Sequence, residues 1–214
     1  MKQYTHLIWD FNGTVLDDVA PSFASANRLL RAHGLAPIES LDRYREVFGF
    51  PIVDYYQRLG FDFSKTPFEE LAPEWVAYYR EASTPERAFE HARTVLEWAR
   101  KAGLCQLILS ATEEGMLRQQ CTSLGLLDYF SELVALDNIH AGSKVDVGLA
   151  WRARNPGARA LMIGDSEHDA EVAHAIGADC ILVSYGHRPK EALQRTNCLF
   201  VADNAQQIIS FLEE

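Results

Sequence analysis

Basic residues, long apolar runs and paired cysteines are all scarce in this 214-residue sequence. Lys and Arg number 20 against 30 Asp and Glu, so the net charge of −10 argues against nucleic acid or an anionic membrane as partner. No apolar run could span a bilayer, and the N-terminus lacks the basic-then-apolar pattern of a signal peptide. By exclusion, we expect a cytoplasmic protein that contacts neither nucleic acid nor membrane.

The four cysteines are few and widely spaced. No C-x-x-C pair occurs, and most lie beside apolar runs, which favours reduced, buried thiols over metal ligands or disulfides. The residues concerned are Cys105, Cys121, Cys180 and Cys198. The chain is long enough to bury a sizeable core, either as one domain or as a core with an inserted module.

The N-terminal segment carries the first chemical signal. Leu7, Ile8 and Trp9 form an apolar run typical of a strand buried on both faces, and Asp10 follows it directly. In open α/β sheets, ligands bind outside the carboxyl ends of the strands, so Asp10 is a candidate reactive group. Gly13 lets the backbone turn closely around whatever Asp10 meets.

A second strand followed by a carboxylate lies far downstream. Asp165 ends the apolar run that begins at Ala160, and Asp169 falls four residues later, one turn into a helix expected over 170–176. Three carboxylates at two strand ends repel one another unless a cation lies among them. Mg²⁺ fits, because it binds one or two carboxylates and keeps several waters.

Two further residues have the chemistry that a phosphate needs. Gln106–Leu109 predicts a strand that ends at Ser110, and Lys144 follows a Gly/Ser turn (Ala141, Gly142, Ser143) before a helix. A hydroxyl and an ammonium directed at one point can hold a phosphoryl oxygen and its developing charge.

The spacing of the apolar residues changes after the first strand. From about residue 19 to 81 the apolar residues follow helical spacing, and glycines and prolines divide the segment into short helices. Ser83, Thr84 and Pro85 are the expected return linker, after which helices and strands alternate to the end. We therefore predict an α/β protein with a Rossmann-like parallel-sheet core formed by residues 1–17 and 84–214, and an inserted α-helical cap formed by residues 18–83.

These signals together resemble the haloacid dehalogenase superfamily of aspartate-nucleophile phosphatases, most closely its phosphoglycolate-phosphatase-like branch with a helical cap. The family opens with D-x-D-G-T-[LV]-x-D, and this chain reads D-F-N-G-T-V-L-D over residues 10–17. The family's Ser/Thr strand end matches Ser110, its lysine matches Lys144, and its G-D-[ST]-x-x-D segment matches Gly164 to Asp169. The four signals occur in the family's order over nearly the whole chain.

The resemblance implies a role for each matching residue. Asp10 would attack phosphorus and become an aspartyl phosphate, and Ser110, Ala111 and Lys144 would bind the phosphoryl oxygens. Asp10 and Asp165 would hold Mg²⁺, helped by the backbone carbonyl of Asn12 and by Asp169, directly or through water. The implied activity is Mg²⁺-dependent hydrolysis of a small phosphorylated metabolite, with phosphoglycolate as the default substrate.

One position departs from the family pattern. Asn12 stands where the family has the aspartate that protonates the leaving group and activates water, and an amide cannot exchange a proton at neutral pH. Three interpretations follow: a slow phosphatase, an enzyme for substrates with good leaving groups, or a phosphate-ligand-binding protein without turnover. Asp17 and Asp18 are nearby carboxylates that could substitute. A haloacid dehalogenase is a further alternative, although it would not need Asp165 and Asp169.

Several residues have competing interpretations. The aromatic cluster of Phe48, Phe50, Tyr55 and Tyr56 is expected to form cap core rather than substrate pocket. Arg45 and Arg58 either reach an anionic substrate or are solvated. His168, His174 and His187 are expected on the surface or in packing, with the role of His187 open.

Overall fold

A computed structural model describes residues 3–136 and 143–214, so Ala141 and Gly142 of the expected Gly/Ser turn lie outside the described residues. Its strands are β1 (His6–Trp9), β2 (Cys105–Glu113), β3 (Glu132–Leu136), β4 (Ala160–Gly164), β5 (Asp179–Val183) and β6 (Phe200–Ala202). They form one sheet in the order β3-β2-β1-β4-β5-β6, and every neighbouring pair is parallel. This doubly wound order confirms the predicted Rossmann-like core.

The central strand β1 is buried on both faces, as its apolar run predicts. Leu7 and Trp9 join the hydrophobic cluster on one face of the sheet, whereas Ile8 joins the cluster on the other face. This alternation follows from the two-residue period of a strand. Both faces need a cover of helices, and β1 is fixed between β2 and β4.

The segment between β1 and β2 supplies a helical layer with its own core. Its helices are α1 (Val19–Ala32), α2 (Leu41–Val47), α3 (Ile52–Arg58) and α4 (Phe68–Ala82). They bury a cluster that includes Leu30, Tyr56 and Leu71. The entering and returning chain segments pair where Leu16 forms an antiparallel bridge with Ala88. The helical cap is thus confirmed, while the boundaries at residues 17/18 and 83/84 stay predictions.

The core helices cover the two faces of the sheet. They are α5 (Glu90–Lys101), α6 (Glu114–Ser123), α7 (Lys144–Arg154), α8 (Glu167–Ala175), α9 (Lys190–Leu193) and α10 (Ala205–Glu213), and a 3-10 turn spans Leu127–Tyr129. Within residues 3–136 and 143–214, no helix combines the length and apolar character needed to cross a membrane. All four cysteines are free thiols, but only Cys121 and Cys180 are buried as expected, whereas Cys105 and Cys198 are half-buried.

Two local predictions are wrong. Ser110 does not end a strand, because β2 continues to Glu113 through a shift in its pairing with β3 after Leu109. The helix that carries Asp169 begins at Glu167 rather than at residue 170, because the Ser166 hydroxyl caps it by accepting a hydrogen bond from the Asp169 amide. Asp169 therefore lies in the first turn of α8.

Candidate active site

The candidate site lies where the strand order reverses, between β1 and β4. Asp10 follows β1, Asp165 follows β4, and the amide of Asp10 donates to the carbonyl of Ile163 in β4 over 2.9 Å. Ser110 lies on β2, the neighbour of β1 on the other side. The carboxyl ends of three adjacent strands thus bring together residues that are up to 155 positions apart in the chain, such as Asp10 and Asp165.

Three carboxylates meet at this edge. Oxygen atoms of Asp10, Asp165 and Asp169 all lie within 4.8 Å of one another, and all three residues are buried. Lys144, the first residue of α7, donates to Oδ1 of Asp10 and, over 2.5 Å, to Oδ1 of Asp169. Three carboxylates and one ammonium leave an excess of negative charge when all are ionised.

Asp169 is held rigidly by the start of α8. Its Oδ2 accepts hydrogen bonds from the Ser166 hydroxyl over 2.7 Å and from the amides of Asp165 and Ser166 over 3.1 and 3.0 Å. These donors and the positive end of the helix dipole favour its ionised form. Burial alone would raise the pKa of Asp169, but Lys144 and Ser166 outweigh it and hold the pKa below its usual range.

The other two carboxylates, those of Asp10 and Asp165, have raised pKa values. Burial, reinforced by the charge of Asp169, raises the pKa of Asp10 to about 6 although Lys144 opposes the shift. Burial raises the pKa of Asp165 to about 8, with His187 lowering it and the charges of Asp10 and Asp169 adding to it. Burial and the neighbouring carboxylates thus both disfavour the ionised forms of Asp10 and Asp165.

The residues present fit a hard divalent cation. The donor set consists of carboxylate oxygens, which Mg²⁺ prefers, and the raised pKa of Asp165 marks negative charge that a metal ion would neutralise. Space around Asp165 is kept by glycine: a Cβ at Gly13, where φ is +75°, or at Gly186 would collide with the Asp165 carboxylate. A buried acidic cluster able to bind a metal is therefore present. Metal binding by the backbone carbonyl of Asn12 stays a prediction.

Asn12 is fixed by hydrogen bonds to three neighbours. Its Nδ2 donates to Oδ2 of Asp18 over 2.8 Å and to the Tyr79 hydroxyl over 3.1 Å, and its Oδ1 accepts from the Thr112 hydroxyl over 2.8 Å. This network assigns the orientation of the amide, because the reversed amide would place its oxygen against the Asp18 carboxylate. Both Nδ2 protons are thus already engaged.

The two carboxylates that follow the motif have different environments. Asp17 is exposed, whereas Asp18 is buried and accepts from Asn12, the Gly13 amide, Tyr79 and His187. Burial would raise the pKa of Asp18, but protonated His187 and these hydrogen bonds outweigh it and lower the pKa. Asp18 therefore points inward as an anion whose oxygens are occupied by donors.

His187 is a second residue whose position the sequence does not reveal. Its Nε2 lies 3.1 Å from Oδ1 of Asp18, its Nδ1 lies 2.9 Å from the Tyr44 hydroxyl, and its amide donates to Oδ2 of Asp165 over 2.6 Å. Burial would lower its pKa, but Asp18, with help from Asp165, raises the pKa to about 9. His187 thus joins the cap to the acidic cluster. In the sequence, the Gly186-His187 pair after β5 is the feature that could have indicated this role.

The expected phosphate ligands border the same space. Ser110 is buried and donates from its hydroxyl to Thr112 Oγ1 over 3.1 Å, and Ala111 and Lys144 also line the cavity. The structure therefore brings together Asp10, Asn12, Ser110, Ala111, Lys144, Asp165 and Asp169. Arg45 and Arg58 do not line this cavity; they donate to the carbonyls of Gly186 and Val47 over 3.1 Å each.

A cavity of about 530 Å³ separates the acidic cluster from the cap. Seven aromatic residues line it: Tyr44, Phe48, Phe50, Tyr55, Tyr56, Trp75 and Tyr79. The four aromatic residues that were expected to form the cap core therefore also line the cavity. Tyr55 and Tyr56 serve both purposes, being only 4% exposed, whereas Phe50 is 43% exposed.

Comparison with known proteins agrees with this geometry. Residues 7–183 match the family described as haloacid dehalogenase-like hydrolase, which is most of the chain. The chain belongs to the haloacid dehalogenase-like hydrolase family. The matched range includes the seven site residues predicted from the sequence and ends before His187.

Relatives within this haloacid dehalogenase-like family carry different names. A phosphoglycolate phosphatase of Rhodobacter capsulatus is 28% identical over 195 residues, covering 87% of this chain and 88% of the relative. Tyrosine-protein kinase PtkA of Mycobacterium tuberculosis is 26% identical over 203 residues, covering 93% of this chain and 68% of the relative. The structure of the haloacid dehalogenase-like family protein SP0104 from Streptococcus pneumoniae has a TM-score of 0.85 at 15% identity. The alignment covers 99% of this chain and 100% of that protein, and it supports the fold.

Proposed function

We propose that this protein is a Mg²⁺-dependent phosphatase that hydrolyses a small phosphorylated metabolite through an aspartyl phosphate on Asp10. The observation that carries the proposal is the meeting of Asp10, Asp165, Asp169, Lys144 and Ser110 beneath a capped cavity. A nucleophile, a cation site and donors for phosphoryl oxygens are the parts that phosphoryl transfer requires. Relatives named phosphoglycolate phosphatase support a phosphate monoester as the substrate.

The side chains divide the work by their chemistry. Asp10 must be ionised to attack phosphorus, and Lys144 favours that state because it donates to Oδ1 of Asp10. The Ser110 hydroxyl and the Lys144 ammonium, both on the cavity wall, would bind the oxygens of the phosphoryl group as its charge develops. A bound Mg²⁺ would neutralise charge between carboxylate and phosphate. The cap would exclude bulk water during the attack.

A phosphate-ligand-binding protein without turnover is the second candidate. The engagement of both Asn12 Nδ2 protons by Asp18 and Tyr79 favours it, because no acid-base group stands at that position. A haloacid dehalogenase is less well supported, since it would leave the buried Asp165 and Asp169 without a purpose. Because the Mycobacterium tuberculosis relative is named a tyrosine-protein kinase, the test must measure transfer of the phosphoryl group to water.

Phosphate release from acetyl phosphate tests the proposal, because its leaving group needs no acid. We expect turnover that requires Mg²⁺, is abolished by a chelator, and is lost in Asp10→Asn. The exposed Asp17→Asn provides the matched control and should retain activity. Tight phosphate binding without turnover would support the second candidate, and phosphate release that survives chelation would contradict the metal requirement.

A further inference from the structure

The wall of the cavity opposite the carboxylates is aromatic and partly uncovered. The indole of Trp75 stacks on Tyr79 with ring centroids 4.9 Å apart and planes inclined by 15°, and Trp75 itself is half-buried on the cavity wall. Phe50 also lines the cavity and is 43% exposed, and its ring contacts Phe48 and His168 at centroid distances of 5.8 and 5.0 Å. Two aromatic surfaces are thus available to a ligand in the same space as Asp10.

Most cations among the lining residues that the structure describes are already paired. Lys144 is bound by Asp10 and Asp169, and His187 is bound by Asp18. His168 lies 3.2 Å from Glu171, whereas exposed Arg80 lines the cavity and forms no ion pair with the residues that the structure describes. Arg80 is therefore the cation that a carboxylate on the substrate could meet, and much of the rest of the wall is aromatic.

Asn12 places a second, independent restriction on the organic part of the substrate. Because the amide cannot protonate the leaving oxygen, residue 12 favours a leaving group that is stable as an anion. A phenol ionises near pH 10, whereas an alkanol resembles water, with a pKa of about 16. The phenolate is thus the better leaving group by about six powers of ten in acidity.

We infer that the substrate is the phosphate monoester of a small phenol, whose ring packs against Trp75 and Phe50 while its phosphoryl group meets Asp10. The inference rests on the proposed phosphatase function and specifies its substrate class. The two features act together, since the aromatic wall binds the ring and the ring makes proton donation by residue 12 unnecessary.

The chemistry balances without a further reactant. A carboxylate oxygen of Asp10 forms a bond to phosphorus while the bond from phosphorus to the aryl oxygen breaks, and the aryloxide takes the electron pair. Water then attacks phosphorus, the bond to Asp10 breaks, and the carboxylate is restored. The proton that the water releases neutralises the aryloxide, so the products are a phenol and inorganic phosphate.

Three substrates separate ring recognition from leaving-group quality. Phenyl phosphate has both a ring and a good leaving group, acetyl phosphate has only the leaving group, and phosphoglycolate has neither. We expect kcat/KM to be much higher for phenyl phosphate than for phosphoglycolate. Trp75→Leu and Phe50→Leu should lower kcat/KM about 3- to 10-fold for phenyl phosphate, mainly through KM, and leave acetyl phosphate unchanged.

Phe63→Leu is the matched control, because Phe63 is a half-buried cap aromatic that packs on Phe68 and does not line the cavity. It should leave all three substrates unchanged, and thermal denaturation should show every variant folded. A phosphotyrosine peptide compared with free phosphotyrosine distinguishes a protein side chain from a free metabolite as the source of the ring, and preference for either supports ring recognition.

Two results would overturn the inference. If acetyl phosphate is hydrolysed but phosphoglycolate is used as well as phenyl phosphate, or if the wall variants impair acetyl and phenyl phosphate equally, ring recognition is wrong and the phosphatase proposal stands. If none of the substrates is hydrolysed, the phosphatase proposal fails and the inference fails with it.

Discussion

The side-chain amide of Asn12 donates to the carboxylate of Asp18 over 2.8 Å. The resemblance to aspartate-nucleophile phosphatases places the acid-base group at residue 12, yet here the carboxylate of the pair belongs to residue 18. Asp18 is occupied by five donors, including the Ser22 hydroxyl, and its pKa is lowered, so it is a poor proton donor at neutral pH. The amide-carboxylate pair therefore controls which leaving groups the site can release.

Replacing the amide by a carboxyl should widen the substrate range. In Asn12→Asp the two carboxylates would lie at hydrogen-bond distance and share one proton, so an acid would be present at neutral pH. We expect turnover of alkyl esters to rise by up to about 10²–10⁴ and the dependence of rate on leaving-group pKa to flatten. Steady-state kinetics over a series of aryl and alkyl phosphates measures both effects.

Asn12→Ser is the control for this change, because it removes the amide without adding an acid and should not gain activity on alkyl esters. Equal rates and equally shallow slopes in Asn12→Asp and the unaltered protein would show that another group already donates the proton.

Metal binding should depend on pH. The raised pKa values of Asp10 (about 6) and Asp165 (about 8) mean that the metal-free folded state holds protons that the unfolded state releases near pH 4. These groups therefore reduce stability as the pH rises from about 4 to about 8, and Mg²⁺, which binds the ionised form, should restore it.

Thermal denaturation with Mg²⁺ and with a chelator checks this expectation. The rise in Tm caused by Mg²⁺ should be small at about pH 5.5 and larger at about pH 8.5, and Asp165→Asn should largely remove it. A Tm that ignores Mg²⁺ throughout this range would contradict a metal site at the acidic cluster.

The Asp18–His187 pair should stabilise the fold in a defined pH window. The pKa of His187 rises from 6.5 to about 9, so its contribution is fully present below pH 6.5 and is lost as the pH rises through about 9. The lowered pKa of Asp18 adds stability that is present above its unfolded value of 3.8 and is lost as the pH falls through its folded pKa.

His187→Gln removes the cation from this buried pair. We expect the free energy of unfolding to fall by about 3–5 kcal/mol at pH 6 and by less at pH 9. Denaturant unfolding in the presence of a chelator measures the difference, and the exposed His174→Gln should show little change. Parallel pH curves for His187→Gln and the unaltered protein between pH 6.5 and 9 would contradict the ion pair.

The central sheet and the acidic cluster follow from local sequence patterns. A strand buried on both faces has to be apolar along its length, so Leu7–Trp9 and Leu161–Ile163 are visible as runs that end at carboxylates. The continuation of β2 beyond Ser110 is not visible, because it depends on a pairing shift with β3 rather than on the residues of β2 alone.

The hydrogen-bond partners of Asn12 could be identified only from the structure. Asp17 and Asp18 are adjacent and chemically identical, and the chain geometry before α1 decides that only Asp18 faces inward. His187 lies 169 residues from Asp18 and meets it because β5 ends beside β4. The cap aromatics could not be assigned to core or cavity, since both environments select the same residue types.

Trapping a phosphoryl group on Asp10 tests the proposed mechanism most directly. Without an acid-base group at residue 12, attack of water on the aspartyl phosphate should be slow, so the intermediate should accumulate during turnover of phenyl phosphate with Mg²⁺. After an acid quench and digestion, mass spectrometry should find one phosphoryl group on the peptide that contains Asp10. The label should be absent in Asp10→Asn and retained in Asp17→Asn. Turnover without any phosphoryl group on Asp10, or with the label on another residue, would contradict Asp10 as the nucleophile.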